Sequence, residues 1–352
     1  MAKPSNGLTS KVSVLVPVYN VEKFLPDCLE SLVGQTLKEI EIICINDGST
    51  DGSLGILREY AKLDKRLKII NKKNSGYGDS MNQGLSGASG EYIGIVEPDD
   101  FIDLDAFEKM YKVAKRKRAD VVKANFYNFE TKRNKDVSKS HLFLEDEVGR
   151  VIDPRQSRHI FFQQPSVWSA IYERDFLRKN KILFLPSPGA SYQDAGFTFK
   201  IWGMARRVVF LKEAFLHYRN DNPSSSVKSV GKMYAVKDEY DDVEKYLNER
   251  GLMEEMAPTL AAVRLGGYIW NMRRLGRSEA IEFAKCVKED YERYKRMGYL
   301  DNRNFDDKNA LYIVNNVIVR NPRLYLDLRP IFELWDGFKI IGLRLYKKVF
   351  RK

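Results

Sequence analysis

The sequence predicts an α/β protein: a mainly parallel sheet flanked by helices, followed by a helical extension. Three observations carry this. Short β-rich runs alternate with helical stretches through the first third of the chain, the pattern of right-handed βαβ units. Three of those runs end in polar, turn-forming clusters, PVYN, NDGSTDGS and EPDD, and open α/β sheets bind ligands beyond the carboxyl ends of their strands. After about residue 230 the strand signals stop and long helical stretches take over.

The elements follow in order. VSVLV at 12–16 reads as a strand that Pro17 ends, because proline brings no N–H to a ladder. A helix is expected over 22–32, a buried strand over 40–45, a helix over 53–63 and a short strand over 67–70. A helix over 80–88 leads to the strand 92–96, then a helix over 106–118 and a strand over 120–124. From about 126 to 160 the periodicity weakens and charge rises, as in ETKRNKDVSKS, which marks a surface excursion. VWSAIYERDFLRKN predicts a Trp-anchored strand running into a helix. A Gly/Pro loop then enters a helix over 195–204, and a strand near 207–211 precedes LHYRNDNPSSS. Helices are expected over 233–250, closed by Gly251, and over 256–275, 278–296 and 306–319. The domain reading is a polar segment 1–10, an α/β domain 11–230 with halves 11–124 and 125–230, and a helical region 231–352.

Composition excludes several classes. With 43% hydrophobic residues a core is available and disorder is not expected. Cys28, Cys44 and Cys286 show no CxxC spacing, which argues against a disulfide framework or structural zinc and for a reducing compartment. His141, His159 and His217 are too scattered for a zinc signature. The first residues are polar, without a signal-peptide core, and no run approaches the roughly 18–20 apolar residues of a spanning helix. The expected location is cytoplasmic, soluble or peripheral on the inner face of the cell membrane. A net charge of +11 calls for an anionic partner, a phosphorylated small molecule or acidic lipid among them. The basic residues are dispersed or gathered in the tail, with no nucleic-acid motif, so no nucleic acid is expected. No feature sets an oligomeric state.

The clusters carry the chemistry. EPDD stores negative charge at the mouth of a core strand, which is tolerated when solvated, paired or bound to a cation. Mg²⁺ or Mn²⁺ takes carboxylate oxygen and leaves positions open for phosphate, and Asp99 and Asp100 are assigned that work. Asp103 and Asp105 suit the N-terminus of the helix that follows and are read as its caps. Asp47-Gly48 and Asp51-Gly52 are turn dipeptides, and Asp51 suits the cap of the next helix. NDGSTDGS does not match a P-loop. Asp47, at a strand exit, can accept from a base N–H or a ribose hydroxyl.

PVYN at 17–20, INDGSTDGS at 45–53, NSGYGDSMNQGLSGASGEYI at 74–93 and EPDD at 97–100 stand in the order and spacing of the family 2 glycosyltransferases. The chain resembles that family over about residues 11–124. A weaker match continues to about 230 through VWSAIYERDFL, YQDAGF and LHYR. The resemblance is to bacterial enzymes that build capsule, lipopolysaccharide and other surface glycans. It implies a GT-A fold, Rossmann-like in its sheet. It also implies metal-assisted, inverting transfer of a sugar from a nucleotide diphosphate, usually UDP, to a hydroxyl of a growing glycan or lipid-linked acceptor. Residue by residue, Pro17, Val18 and Tyr19 would line the base pocket and Asp47 would bind uracil. Asp99 and Asp100 would serve the ribose, diphosphate and metal. Glu97 stands where the family's acidic motif usually begins with Asp. In the family's ARNxG segment Asn82 matches but Met81 replaces Arg, so a diphosphate contact would come from Lys72, Lys73 or Arg219. Asp194 matches the catalytic base, with Gln193 where the family has Glu. Trp168 and Gln193 would face the acceptor, although a core place suits Trp168 equally well. His217 suits a structural role better than a metal ligand.

The tail LWDGFKIIGLRLYKKVFRK places Trp335, Phe338, Ile341, Leu345 and Val349 at near-helical spacing. Six cations follow its last acid, Asp336. Residues 335–352 therefore suit a helix lying on an anionic membrane, or one packed on the body with a solvated basic face. Two other functions compete. A sugar nucleotidyltransferase would open with a Gly-rich basic loop after the first strand, which PVYN lacks. An inactive glycan- or nucleotide-binding relative would have no need of Asp47, Asp99, Asp100 and Asp194 together.

Overall fold

The computed structural model describes residues 10–222, 233–300, 314–323 and 325–327. The chain divides into two compact units, Met1–Ser229 and Val230–Lys352.

The first unit is built on one mixed sheet. Its strands are β1 (Val12–Val18), β2 (Ile40–Asp47), β3 (Leu67–Lys72), β4 (Tyr92–Ile95), β5 (Phe101–Ile102), β6 (Val121–Glu130), β7 (Lys135–Lys139), β8 (Val151–Ile152), β9 (Ala170–Glu173) and β10 (Val208–Arg219). Helices α1 (Leu25–Val33), α2 (Ser53–Leu63), α3 (Tyr77–Gly87), α4 (Ala106–Lys117), α5 (Arg174–Lys179) and α6 (Gln193–Met204) connect them. The strand order is β3-β2-β1-β4-β9-β6-β10-β5, with β7 on β6 and β8 on β10. β3, β2, β1 and β4 are parallel neighbours. β9 lies antiparallel between β4 and β6, so β6 and its parallel neighbour β10 point the same way as the first four. The sheet is thus mostly parallel, with one reversed strand at its centre and short antiparallel strands at its margin.

β1 and β2 are buried at every position, as expected of parallel strands covered on both faces. Pro17 does not end β1; the strand runs to Val18 and stays paired with β2. Val96 N–H donates to the Leu15 carbonyl, and alternate residues face the same neighbour. The Pro17 nitrogen therefore faces the β4 side, where pairing has already stopped at Leu15, and no ladder bond is lost. The expected excursion at 126–160 starts later than the composition indicates. β6 continues to Glu130 because β10, twelve residues long, pairs with it as far as Arg219–Phe129, and β7 then folds back on β6.

In the second unit α7 (Ala235–Asn248), α8 (Met253–Arg274) and α9 (Arg277–Arg296) are followed by a short π-helical turn at Val314–Ile318. α8 is buried along most of its length, and Arg264 in it is fully buried. Its guanidinium meets Asp241 (2.5 Å) and Glu244 (3.3 Å) from α7 and Asp290 (2.6 Å) from α9. Nε donates to the Tyr268 hydroxyl at 2.7 Å. One α8 cation thus satisfies carboxylates from both flanking helices. Of the expected helix over 306–319 only 314–319 is described, and the tail 335–352 lies outside the described residues. No helix among the described residues is long and apolar enough to cross a membrane. Cys28 and Cys44 are buried free thiols and Cys286 is a half-buried one.

Candidate active site

Because β2, β1 and β4 are adjacent and parallel, their carboxyl ends lie side by side, which brings NDGSTDGS, PVYN and EPDD to one sheet edge. Pro17 and Val18 are buried and Tyr19 is 51% exposed. The first two exits are stitched together. Asn20 Oδ1 accepts from Thr50 N–H (2.8 Å), Asp51 Oδ2 from Glu22 N–H (3.0 Å), and Val21 N–H donates to Ser53 Oγ (3.0 Å). Asn20 takes φ 48, the left-handed region Asn tolerates.

Asp47 is buried and faces the β3–α3 turn. Oδ1 accepts from Ser75 N–H (2.9 Å) and Oδ2 from Gly76 N–H (3.0 Å), and Lys72 Nζ pairs with Oδ1. Lys72 also lies 3.2 Å from Asp79. A carboxylate offers about four acceptor positions; three are used here and one remains.

The acidic turn after β4 is held from the far side of the sheet. Asp100 is 1% exposed; Oδ1 accepts from Arg219 N–H at 2.8 Å, and the buried Oδ2 has no hydrogen-bond partner. Asp99 Oδ2 accepts from Asn222 Nδ2 at 2.7 Å. Glu97 Oε1 accepts from the Tyr77 hydroxyl at 2.7 Å. Burial pushes all three carboxyls up. Glu97 reaches about 8, with Asp99 and Asp194 adding repulsion against its hydrogen bond from Tyr77. Asp99 rises despite Asn222 and Arg219, and Asp100 rises well above the usual range, with Asp99 adding to burial. Asp99 and Asp100, desolvated together with one oxygen left orphaned, fit a hard divalent cation, which would take the place of their protons. Among the described residues no three His, Cys, Asp or Glu side chains are grouped to hold a metal by themselves. Asp99 and Asp100 can thus supply part of a coordination shell, leaving the rest to a ligand's own oxygens.

Arg219 closes the far side of this turn. Nε donates to the Asp99 carbonyl (2.7 Å), Nη1 to Thr131 Oγ1 (2.9 Å) and Nη2 to Asp27 Oδ2 (2.9 Å), among the rings of Phe24, Phe101 and Phe129. It is 3% exposed. It therefore braces the acidic turn, with its donors turned inward. His217 is stacked on Phe101 at 4.4 Å, its nitrogens 2.8 Å from Asp136 and 3.1 Å from Asp103. Burial lowers its pKa, but the two carboxylates outweigh that and raise it overall. This corrects the capping role read for Asp103, whose carboxylate is spent on His217; Asp105 sits at the cap position without a side-chain capping bond.

Asp194 lies in the first turn of α6, after Tyr192 at φ 63. Oδ1 accepts from Ala195 N–H at 2.9 Å, and burial raises the carboxyl to about 6. The loop before α6 is seated on the β3–α3 turn: Tyr77 N–H donates to the Gly189 carbonyl at 2.9 Å. The Gly-Tyr-Gly of 76–78 makes this approach possible. Gly76 has φ 96, and a Cβ on Gly78 would sit 2.0 Å from the Leu185 carbonyl oxygen. Gly78→Ala must therefore displace one of the two segments. It should cost about 1–3 kcal/mol, the overpacking range, read as a lower denaturation midpoint at unchanged slope.

The other assigned residues have structural company. Gln193 is buried and clasps the loop: Oε1 accepts from Ser191 N–H (2.5 Å), and Nε2 donates to Ser187 Oγ (2.8 Å) and the Gly189 carbonyl (3.2 Å). Asn82 pairs through both amide atoms with the Phe184 backbone (2.9 and 3.0 Å). Met81, where the family has Arg, is fully buried. Trp168 is 7% exposed, stacked on Tyr218 at 5.1 Å and edge-on to Phe126 at 4.7 Å, so it is a core residue. Lys123 Nζ fixes the turn that carries it, donating to the Ser166 carbonyl (2.7 Å) and Ser169 Oγ (2.8 Å). The structure thus gathers Asp47, Glu97, Asp99, Asp100 and Asp194 into one set of abutting loops and spends Asn82, Gln193 and Arg219 on holding those loops. The sequence reading missed Tyr77, Asn222 and Thr131. The glycines flanking Tyr77 are the one signal that marks it.

A mostly parallel α/β sheet with carboxylates crowded at the exits of β2 and β4, beside the exit of β1, is the arrangement of a GT-A glycosyltransferase. The chain belongs to glycosyltransferase family 2. The profile described as Glycosyl transferase family 2 matches residues 13–183. Glycosyltransferase GlyG of Streptococcus pneumoniae serotype 4 is 30% identical over 225 residues, 62% of this chain and 73% of that protein. Uncharacterized glycosyltransferase EpsJ of Bacillus subtilis (strain 168) is 33% identical over 224 residues, 61% of this chain and 62% of that one. The match thus spans about three fifths of EpsJ. In fold, the crystal structure of S. aureus TarS 1-349 in complex with UDP-GlcNAc superposes with a TM-score of 0.71, covering 89% of each chain at 20% identity.

Proposed function

We propose that this protein is an inverting glycosyltransferase that moves a sugar from a UDP-sugar to a hydroxyl of a surface glycan or lipid-linked saccharide. The observation that supports this most is the convergence of Asp47, the Asp99–Asp100 turn and Asp194 on one sheet edge. Family membership and the TarS complex with UDP-GlcNAc favour a UDP-sugar donor. EpsJ and GlyG, both named glycosyltransferases, favour transfer over nucleotidyl chemistry. Tyr19, Val18, Pro17 and Asp47 would receive the nucleoside. Asp99 and Asp100 would hold Mg²⁺ or Mn²⁺, which when bound would neutralise the departing diphosphate. Asp194 would take the proton of the acceptor hydroxyl as that oxygen bonds the anomeric carbon and the carbon–phosphate oxygen bond breaks. Arg219, Asn82 and Gln193 would act by positioning. The basic tail 335–352 would keep the enzyme near an anionic membrane that presents the acceptor.

The direct test is a panel of nucleotide sugars assayed for nucleoside diphosphate release, with Mn²⁺ and with EDTA. Release from a UDP-sugar that stops with EDTA supports the reading. Release of pyrophosphate from a sugar phosphate and a nucleoside triphosphate would replace it with nucleotidyl transfer. The base assignment also sets a pH profile. A base works only ionised, and the Asp194 carboxyl sits at about 6. Below that, kcat should fall about tenfold per pH unit; above it, the acid limb should level off. A profile flat down to pH 5 would remove Asp194 from the role.

A further inference from the structure

We propose that Tyr77 is a positioning residue for this transfer: its hydroxyl holds Glu97 and so sets the acidic turn after β4 against the loop that leads into α6 and Asp194. The inference rests on the transferase reading above. Tyr77 is fastened at both ends. Its backbone N–H donates to the Gly189 carbonyl at 2.9 Å, in the loop before α6. Its hydroxyl donates to Glu97 Oε1 at 2.7 Å, in the turn after β4. Its ring meets Phe184 edge-on at 5.8 Å, and Phe184 stacks on Phe197 within α6 at 3.8 Å.

The neighbouring sequence enforces this placement. Gly76, at φ 96, would put a Cβ 2.6 Å from the Ser187 carbonyl, and Gly78 would put one 2.0 Å from the Leu185 carbonyl. Only a turn without side chains on both sides of Tyr77 can seat this closely. The bond also accounts for a departure from the family pattern. Where the acidic motif usually starts with Asp, this chain has Glu97. An arm shorter by one C–C bond, about 1.5 Å, would leave a 2.7 Å contact outside hydrogen-bond range. Glu97 therefore serves as the acceptor for Tyr77, while Asp99 and Asp100 keep the ligand work.

The test uses the full chain, saturating Mn²⁺ and a UDP-sugar that the wild type turns over. Tyr77→Phe should lower kcat about tenfold with KM for the donor within about twofold, because transition-state alignment is lost and ground-state binding is not. Glu97→Gln keeps an amide oxygen to accept the Tyr77 bond and should stay within about threefold of wild type. Glu97→Asp should fall as far as Tyr77→Phe, and the Tyr77→Phe/Glu97→Asp double variant should be no slower than either single one. Wild-type kcat in Tyr77→Phe, or in Glu97→Asp, overturns the proposal. So does a Glu97→Gln enzyme that has lost Mn²⁺-dependent UDP binding by calorimetry, since the charge itself would then be the requirement. Should Tyr77→Phe not fold, the Glu97→Gln and Glu97→Asp pair decides alone. A wild type that binds no nucleotide and turns over no donor defeats the transferase reading and this proposal with it; an active wild type with unaffected variants defeats this proposal only.

Discussion

Replacing Asp194 with Asn should lower kcat by about 10³-fold and leave UDP affinity within about twofold, the effect of losing a general base while keeping its shape. Asparagine retains an oxygen to accept the Ala195 N–H bond, so the first turn of α6 should keep its form. What it removes is the ability to take a proton. The carboxyl is suited to that task because burial places it at about 6, where it is largely ionised at neutral pH yet basic enough to matter. The check is single-turnover transfer alongside calorimetric UDP binding. Equal loss of both would mean that Asp194 holds the donor site together and does not act on the acceptor.

The second large effect belongs to the helical unit. Arg264→Met should destabilise it by about 3–5 kcal/mol, the range for removing one partner of a buried ionic network. Arg264 is fully buried, and its loss leaves Asp241, Glu244 and Asp290 facing each other without the cation between them. Arg293, paired with Glu244 and Asp290, would offset part of the repulsion. Native-state hydrogen exchange should show the loss in amides of α7, α8 and α9. A change below 1 kcal/mol would show that the three carboxylates are satisfied by solvent, Arg293 and Lys237, which pairs with Asp241.

Much of the sheet was legible because its strands are buried on both faces. β1, β2 and β4 carry near-continuous apolar runs, and the polar residues that end them mark the exits. Ser53–Leu63 stands as expected, since its helical stretch is bounded by Asp51-Gly52 before it and Asp64 after it. Pro17 misled because its effect depends on which neighbour its nitrogen faces, a property of the sheet and not of the dipeptide. The site was legible in outline for the same reason: residues at strand exits are placed by topology alone. Side-chain direction was not. Asn82 meets Phe184, and Arg219 meets Asp27 and Thr131. These partners lie about ninety or more positions away in sequence. A motif records which residue stands at a position, and the partner determines what it does there. Glu97 is the clearest case. In sequence it is only Glu where the family usually has Asp; the structure places the Tyr77 hydroxyl at its tip.

The central claim is that the acidic turn is completed by a divalent cation and a nucleoside diphosphate. Calorimetric titration of UDP into the wild type and Asp100→Ala, each with Mn²⁺ and with EDTA, tests it most directly. The buried, partnerless Asp100 Oδ2 predicts Mn²⁺-dependent binding in the wild type, lost in EDTA and in the variant. Equal UDP affinity in all four titrations, with the variant folded, would contradict it.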